Sequence, residues 1–463
     1  MIAEEMLYSS VRDLSKLIRS GQLNPVELTE TYLERSARIG TRLNAYAALT
    51  RDLALKEAKA AEREIKQGKY RGPLHGIPYA AKDLLAVKGY PTTWGASPFQ
   101  GQTFDYDATV IKKLREAGAV LIGKAAMIEL AGGMGYRFGT ASISGGARNP
   151  WNETCWTCGS SSGSGAIMAA GLAAFAIGTE TWGSIVCPSS YCGVSGLRPT
   201  FGRVSRHGAM ALSYSMDKIG PMCRTADDCG VVLAAIAGHD ENDLSSLTDA
   251  QFAYNAVSAS APLRIGWLTN AWQKPAADVS AASKAAIEVL KSHGAKVSDV
   301  ALPEGPWEQA AGTVISVECA AAFSSLIESG KVANLTDPLG KIGGYVAQQI
   351  PASDYATALR IRGVLQKRVD GLFDRVDVLA AASLPVVATP MSANLETDLD
   401  FSDPLGGIGN FCGLPAVSVP CGFSNNLPIG IQFVGRAYDD NKVIAAARLF
   451  QQHTQWHRKH PSL

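Results

Sequence analysis

No stretch of this 463-residue sequence is apolar for long enough to cross a membrane as a helix. The longest nearly apolar run, Ala166 to Gly178, holds 13 residues, against about 20 for a spanning helix. An excess of either charge is also missing. Forty-three Lys and Arg stand against 42 Asp and Glu, leaving +1, so no basic surplus exists to hold a phosphate backbone and direct nucleic-acid binding is disfavoured. The start, Met1-Ile-Ala-Glu-Glu-Met6, lacks the basic and apolar regions of a secretory signal. Nine cysteines, scattered from Cys155 to Cys421, form an odd set in a chain too large to need staples. Packing thiols are therefore expected rather than a disulfide framework, with a reducing cytosol as the default. Repeats, low-complexity tracts and Pro- or Ser-rich linkers are absent. These absences predict a soluble, cytoplasmic protein without a membrane anchor. Hydrophobic residues at 46 % and charged residues at 18 % then exclude global disorder.

Glycine is what the chain has in plenty. Its 46 residues are nearly one in ten, above the usual ~7 %, and many fall between Gly132 and Gly196. Around that stretch helices and strands alternate. Pro25 opens a helix that runs to Arg35, and Ala54 to Lys66 reads as a solvent-facing helix. Gly72-Pro-Leu-His-Gly-Ile-Pro-Tyr-Ala-Ala-Lys-Asp leads through turns into a short strand, and Asp107 to Gly123 reads as helix, Gly cap and buried strand. A small-residue helix from Gly163 leads to the strand Ala173–Ile177. From about Leu244 to Arg375 the pattern becomes Ala-rich helices with few strands. Strands return at Val376, Ala416 and Gly430, and Asn441 to Gln455 forms a last helix. The alternation predicts an α/β protein, an α/β/α layering with a mixed central β-sheet and a helical insertion. One domain over 1–463 is expected, divided into N-terminal helices (1–70), a catalytic core (71–243), the helical insertion or cap (244–375) and the C-terminal part of the sheet (376–463).

Two serine-rich turns bracket the small-residue helix: Cys158-Gly-Ser-Ser-Ser-Gly-Ser-Gly165 and Gly178-Thr-Glu-Thr-Trp-Gly-Ser-Ile-Val-Cys-Pro188. Serines and glycines opening a helix supply unpaired N–H groups beside hydroxyls, and Gly183-Ser184 has the composition of a turn that holds a developing oxyanion. A serine nucleophile needs a base. Lys82 follows Tyr79-Ala-Ala in an apolar strand, where desolvation disfavours its ammonium form and suits it to that role.

These segments, Gly76-Ile-Pro-Tyr-Ala-Ala-Lys-Asp, Gly159-Ser-Ser, Gly178-Thr-Glu-Thr-Trp-Gly-Ser-Ile and Cys192-Gly-Val-Ser-Gly-Leu-Arg-Pro-Thr, resemble the amidase signature family. Further ordered matches, from Asn44-Ala-Tyr to Gly430-Ile-Gln-Phe-Val-Gly-Arg, extend the resemblance almost end to end. It implies a Ser–cis-Ser–Lys triad: Ser184 as nucleophile, Ser160 as bridging serine after a cis peptide, and Lys82 as terminal base, without metal or organic cofactor. It places the oxyanion hole at the N–H groups of Thr181, Trp182, Gly183 and Ser184. The loop Gly132–Phe138 matches a pocket wall, with Gly133, Met134, Gly135 and Tyr136 as substrate-binding candidates that Ile408, Phe411 and the Trp182 side chain extend. The chain departs from the family at Trp182, which replaces a glycine, at Val186, which replaces an arginine, and at Cys158 and Ser162, which replace glycines. All three triad positions are kept. The implied function is hydrolysis of small or aryl amides through an acyl-serine, with esters and carbamates as extensions and activity rising into the alkaline range. The alternative is the A subunit of a glutamyl-tRNA(Gln) amidotransferase, which Asp105-Tyr-Asp-Ala-Thr-Val and Gly202-Arg-Val-Ser-Arg-His-Gly resemble. A small-molecule amide is the expected partner, and the resemblance is compatible with a homodimer.

Rival motifs compete with this assignment. Gly159-Ser-Ser161-Ser-Gly163 fits a nucleophile elbow, which requires a preceding strand, and Asn149-Pro-Trp-Asn-Glu-Thr is a poor one. Ser215-Met-Asp-Lys218 fits Ser-x-x-Lys, but Gly220-Pro221 breaks the helix it needs. Cys155-Trp-Thr-Cys158 has neither a second zinc pair nor a thioredoxin-like context. His75 belongs to a turn, and His453, His457 and His460 to a solvated end.

Overall fold

In the computed structural model, residues 2–248, 252–255, 262–399 and 402–463 are described. Positions 249–251 and 256–261 of the expected insertion, and 400–401 of the expected C-terminal part, lie outside them. Thirteen strands are found among the described residues: β1 (Tyr46–Leu49), β2 (Pro78–Lys82), β3 (Val120–Ala125), β4 (Arg148–Asn149), β5 (Asn152–Trp156), β6 (Phe175–Glu180), β7 (Ser195–Arg198), β8 (Lys218–Cys223), β9 (Arg264–Leu268), β10 (Lys296–Val300), β11 (Val378–Ala382), β12 (Ala416–Ser424) and β13 (Leu427–Gly435). Eleven of them form one sheet in the order β1-β3-β2-β6-β8-β7-β12-β13-β11-β9-β10. β2 lies parallel to β3 and β6, while β8, β7, β12 and β13 alternate antiparallel, so the sheet is mixed as expected.

The centre of the sheet explains why the chemistry-bearing segments meet. β2, β3 and β6 are buried at every position, as strands covered on both faces must be. Tyr79 pairs with Phe175, Ala80 with Ala176 and Ala81 with Ile177, which brings Lys82 and the end of β6 to the same edge. Chain ends at the carboxyl side of parallel strands are where open α/β sheets bind ligands. Between β5 and β6 runs the helix Ser162–Ala169, buried along its whole length. It fits because its residues are small: a Cβ at Gly163 would stand 2.4 Å from the Ala45 carbonyl oxygen and 2.5 Å from the Ala126 nitrogen.

Residues 244–375 are mostly helical, with helices at Ala277–Ser292, Trp307–Ala322 and Ala352–Asp370. Two strands in this stretch, β9 and β10, join the main sheet through β11 in parallel register, so part of it continues the layer instead of covering it. Asn149–Thr154, which reads as a poor strand, supplies the hairpin β4/β5 beside the main sheet. Two asparagines outweigh the local composition there: Asn149 accepts from the Trp151 N–H and donates to the Tyr191 carbonyl, and Asn152 accepts from the Thr154 N–H. No helix among the described residues is long and apolar enough to cross a membrane.

Candidate active site

Lys82 ends β2 with its side chain wholly buried. Its Nζ donates to Ser160 Oγ at 2.8 Å and to Thr179 Oγ1 at 3.0 Å, and Ser160 Oγ in turn donates to Ser184 Oγ at 3.1 Å. Three side chains drawn from positions 82, 160 and 184 thus form one continuous hydrogen-bonded line. The Gly159–Ser160 peptide is cis. Burial pushes the Lys82 ammonium down to about 7, against the opposing charges of Asp217 and Glu180. Near neutral pH a substantial share of this lysine is unprotonated and able to accept a proton.

Ser184 follows Gly183, whose φ of +80° favours glycine. The N–H groups of Trp182, Gly183 and Ser184 donate to no protein acceptor among the described residues, and Thr181 Oγ1 donates to the half-buried carboxylate of Asp217 at 2.5 Å. Behind the turn, Glu180 Oε2 accepts from the N–H groups of Ile185 and Val186 at 2.8 and 2.9 Å, while its Oε1 accepts from Arg198 and Asn410 at 2.7 and 2.9 Å. Burial raises the Glu180 carboxyl, but Arg198 and the Val186 N–H outweigh it and hold the group at about 2. A permanently ionised, fully hydrogen-bonded carboxylate therefore fixes the two residues that follow the serine.

A cavity of about 240 Å³ opens onto Gly159 and Gly183. Tyr136, Trp156, Trp182, Tyr191, Leu384 and Leu395 make its walls; among the described residues Asp403 is its single carboxylate and no lysine, arginine or histidine lines it. Of the four loop residues expected as pocket wall, Tyr136 reaches the cavity. Gly133 lies against Leu212 and Cys319, Met134 is buried beside Gly343 and Gly344, and Gly135 lies near Leu339. Ile408 and Phe411, expected to extend the wall, are turned into the core from the helix Pro404–Phe411. Sequence reasoning missed Trp156, Tyr191, Leu384, Leu395 and Asp403. For Asp403 a local signal existed, since Asp before Pro marks a helix start, and its Oδ1 does accept from the Gly406 N–H at 2.9 Å. A second cavity, about 150 Å³, adjoins the lysine end of the line and is lined by Thr179, Thr181, Met210, Leu212, Asp217 and Lys218.

The expectation that all the cysteines are packing thiols is corrected. Cys158 and Cys187 form a disulfide with Cα atoms 5.8 Å apart. They are 29 positions apart in sequence, and the fold brings their segments together at the serine pair. The elbow motif has a preceding strand after all, β5, yet Ser161 Oγ is bonded to the Thr179 main chain and, among the described residues, to no base. Ser215 lies in a turn and Lys218 begins β8, so the two do not share a helix. His75 is buried and accepts from the Arg71 N–H at 3.1 Å. His453 stacks on His293 and His460 on Tyr8, while His457 is buried in the last turn.

The family described as Amidase matches residues 27–444. The A subunit of a glutamyl-tRNA(Gln) amidotransferase from Chloroflexus aurantiacus is 35 % identical over 99 % of both chains. The peptide amidase of Stenotrophomonas maltophilia superposes with a TM-score of 0.85 at 32 % identity, covering 98 % of each chain. A bacterial aryl acylamidase superposes at 0.87 over 97 % of this chain and 98 % of its own; at 24 % identity that likeness is one of fold.

Proposed function

The chain belongs to the amidase family and is an amide-hydrolysing enzyme; from that premise we propose that it works alone on small, uncharged aryl amides through an acyl-serine, with aryl carbamates and esters as further substrates. The observation that carries the chemistry is the line Lys82 Nζ–Ser160 Oγ–Ser184 Oγ at 2.8 and 3.1 Å, ending in a lysine whose burial holds it near 7. Neutral Lys82 takes the Ser160 proton as Ser160 takes that of Ser184, and the Ser184 oxygen bonds to the acyl carbon. The resulting oxyanion is held by the N–H groups of the Thr181–Ser184 turn, of which Trp182, Gly183 and Ser184 have no protein acceptor among the described residues. The C–N bond then breaks, the proton returns along the same line to the leaving amine, and water repeats the attack on the acyl-serine.

The walls support the substrate class. Aromatic and leucine side chains enclose a volume suited to one ring and a short acyl group. A second reading, the amidotransferase component, is favoured by the 35 % identity to such a protein. Glutamine, however, carries an α-carboxylate, and this cavity presents it with Asp403 and, among the described residues, no cation. The test is hydrolysis, by the purified chain, of a matched panel: an acyl anilide, an N-aryl carbamate, an aliphatic primary amide, an aryl ester and glutamine, with Ser184→Ala as control. Cleavage of the anilide or carbamate that is lost in the control supports the stand-alone enzyme. Turnover of glutamine alone, or only with a copurifying partner protein, replaces it with the amidotransferase. Light scattering on the same sample reads the homodimer.

A further inference from the structure

Trp182 stands between the N–H groups that face the reacting carbonyl, where the family pattern has a glycine, and its side chain lines the cavity. The indole Nε1 donates to Asp403 Oδ2 at 2.9 Å. The ring lies against the first turn of the helix Pro404–Phe411, so close that a Cβ at Gly407 would be 3.0 Å from Trp182 Cζ2. Asp403 is held on its other sides by main chain and by a neighbouring helix: Oδ1 takes the Gly406 N–H at 2.9 Å, and its own N–H donates to Glu308 Oε1 at 2.7 Å. Of these contacts the indole is the one made by a side chain from the cavity wall. Burial, with Glu308 and Glu180 adding to it, pushes the Asp403 carboxyl up to about 6, which still leaves it mostly ionised at neutral pH.

A carboxylate facing an aromatic pocket is a natural partner for an ammonium group, through a charge-assisted hydrogen bond and the ring faces together. Here the indole N–H takes one carboxylate oxygen and the Gly406 N–H takes the other. We infer that Trp182 sets the charge class of the substrate: its indole masks Asp403 and turns that acidic spot of the cavity into aromatic wall, so that a neutral aryl amide is accepted and one bearing an ammonium beside the ring is not. The inference rests on the cavity being the substrate pocket, as proposed above, and deepens that reading by naming the residue that selects.

The experiment uses binding, so that it does not depend on turnover. In the Ser184→Ala protein, dissociation constants are measured by calorimetry for acetanilide and for its protonated 4-aminomethyl analogue. With Trp182 in place the neutral ligand is expected to bind tighter. Trp182→Phe keeps a ring but removes the donor and some of the cover, and it should move the ratio toward the cation by about tenfold, the scale of one charge-assisted hydrogen bond. Adding Asp403→Asn to that variant should cancel the move. Asp403→Asn alone, with Trp182 present, should leave the ratio within about twofold, which serves as the second test should Trp182→Phe fold poorly. A ratio that Trp182→Phe leaves alone, a cation that loses affinity in the single Asp403→Asn protein, or a cavity that binds neither anilide overturns the inference. Hydrolysis of the anilide by the enzyme with Ser184 intact is a separate readout, and its failure alone tells against the proposed activity.

Discussion

At the scale of single residues, the proposed catalysis depends on one lysine that gives up its proton easily because it is dry. Among the described residues only hydroxyls touch Lys82 Nζ at hydrogen-bond distance, so burial, its largest influence, lowers its proton affinity to about 7 while Asp217 and Glu180 limit the fall. A base must shed its proton before it can act, so kcat/KM for an anilide should rise with pH through about 7 and level off above it. A profile that is flat from pH 6 to 9 with chemistry rate-limiting would exclude Lys82 as the base. Ser184→Ala and Lys82→Met should each lower kcat by about 10³-fold or more, with a folded protein by circular dichroism. Glu180 acts at one remove. Glu180→Ala leaves Arg198 without its carboxylate partner in the core and two N–H groups without an acceptor, so urea unfolding should show a loss of about 3–5 kcal/mol; a loss under 1 kcal/mol would mean the turn is held by other contacts. The meeting of Lys82, Ser160 and Ser184 in one hydrogen-bonded line was legible in the sequence because each lies in a short motif that the family resemblance covers. Asp403 and Trp156 were not, since what makes them cavity walls is packing across more than two hundred and several tens of positions respectively, which no local pattern records.

Elements explain how those residues are held. Ser160 sits on the approach to the helix Ser162–Ala169 and Ser184 just before the helix Val186–Cys192, so the two hydroxyls are only as well aligned as the two helix starts. The Cys158–Cys187 bridge ties these starts together two residues before one serine and three after the other. From spacing alone the pair was invisible, because a Cys-x-x-Cys at 155–158 suggests a local partner while the true partner lies across the site. A bridge that closes a loop of about thirty residues stabilises by ~3.6 kcal/mol through the unfolded chain. Non-reducing peptide mapping should therefore recover a 158–187 cross-link, and Cys158→Ser with Cys187→Ser should lower Tm by several degrees, as dithiol treatment of the unmutated protein should. Equal melting with and without the bridge would show that helix packing by itself fixes the serines. Hairpin β4/β5 teaches the same lesson: side-chain bonds of Asn149 and Asn152 make a strand that β-propensity does not announce.

For the whole molecule, the alternation of helix and strand was enough to read a mixed sheet, because parallel strands such as β2, β3 and β6 must be apolar on both faces and their neighbours must be helical. The order of eleven strands was not readable, since β9 and β10 join the sheet only through β11, more than a hundred positions away in sequence from β9. That large covered sheet is what makes the lysine dry, and dryness has a cost in stability. In the unfolded chain Lys82 holds its proton up to about 10.5, and in the folded protein only to about 7. Between these values the unfolded state binds more protons, so stability rises with pH; the contribution is complete above about 10.5 and is lost as pH falls to about 7. Lys82→Met removes this one titration and leaves the others in common, so the difference between the two proteins isolates it. Urea unfolding at intervals from pH 6 to 10 should find the methionine variant the more stable protein near pH 7, with an advantage that shrinks by about 3–5 kcal/mol toward pH 10 and is constant below about 6. A difference that stays level over the whole range would mean that Lys82 titrates folded as it does unfolded; the buried base would then be charged at neutral pH, and the proton relay would lose the property that the sheet confers on it.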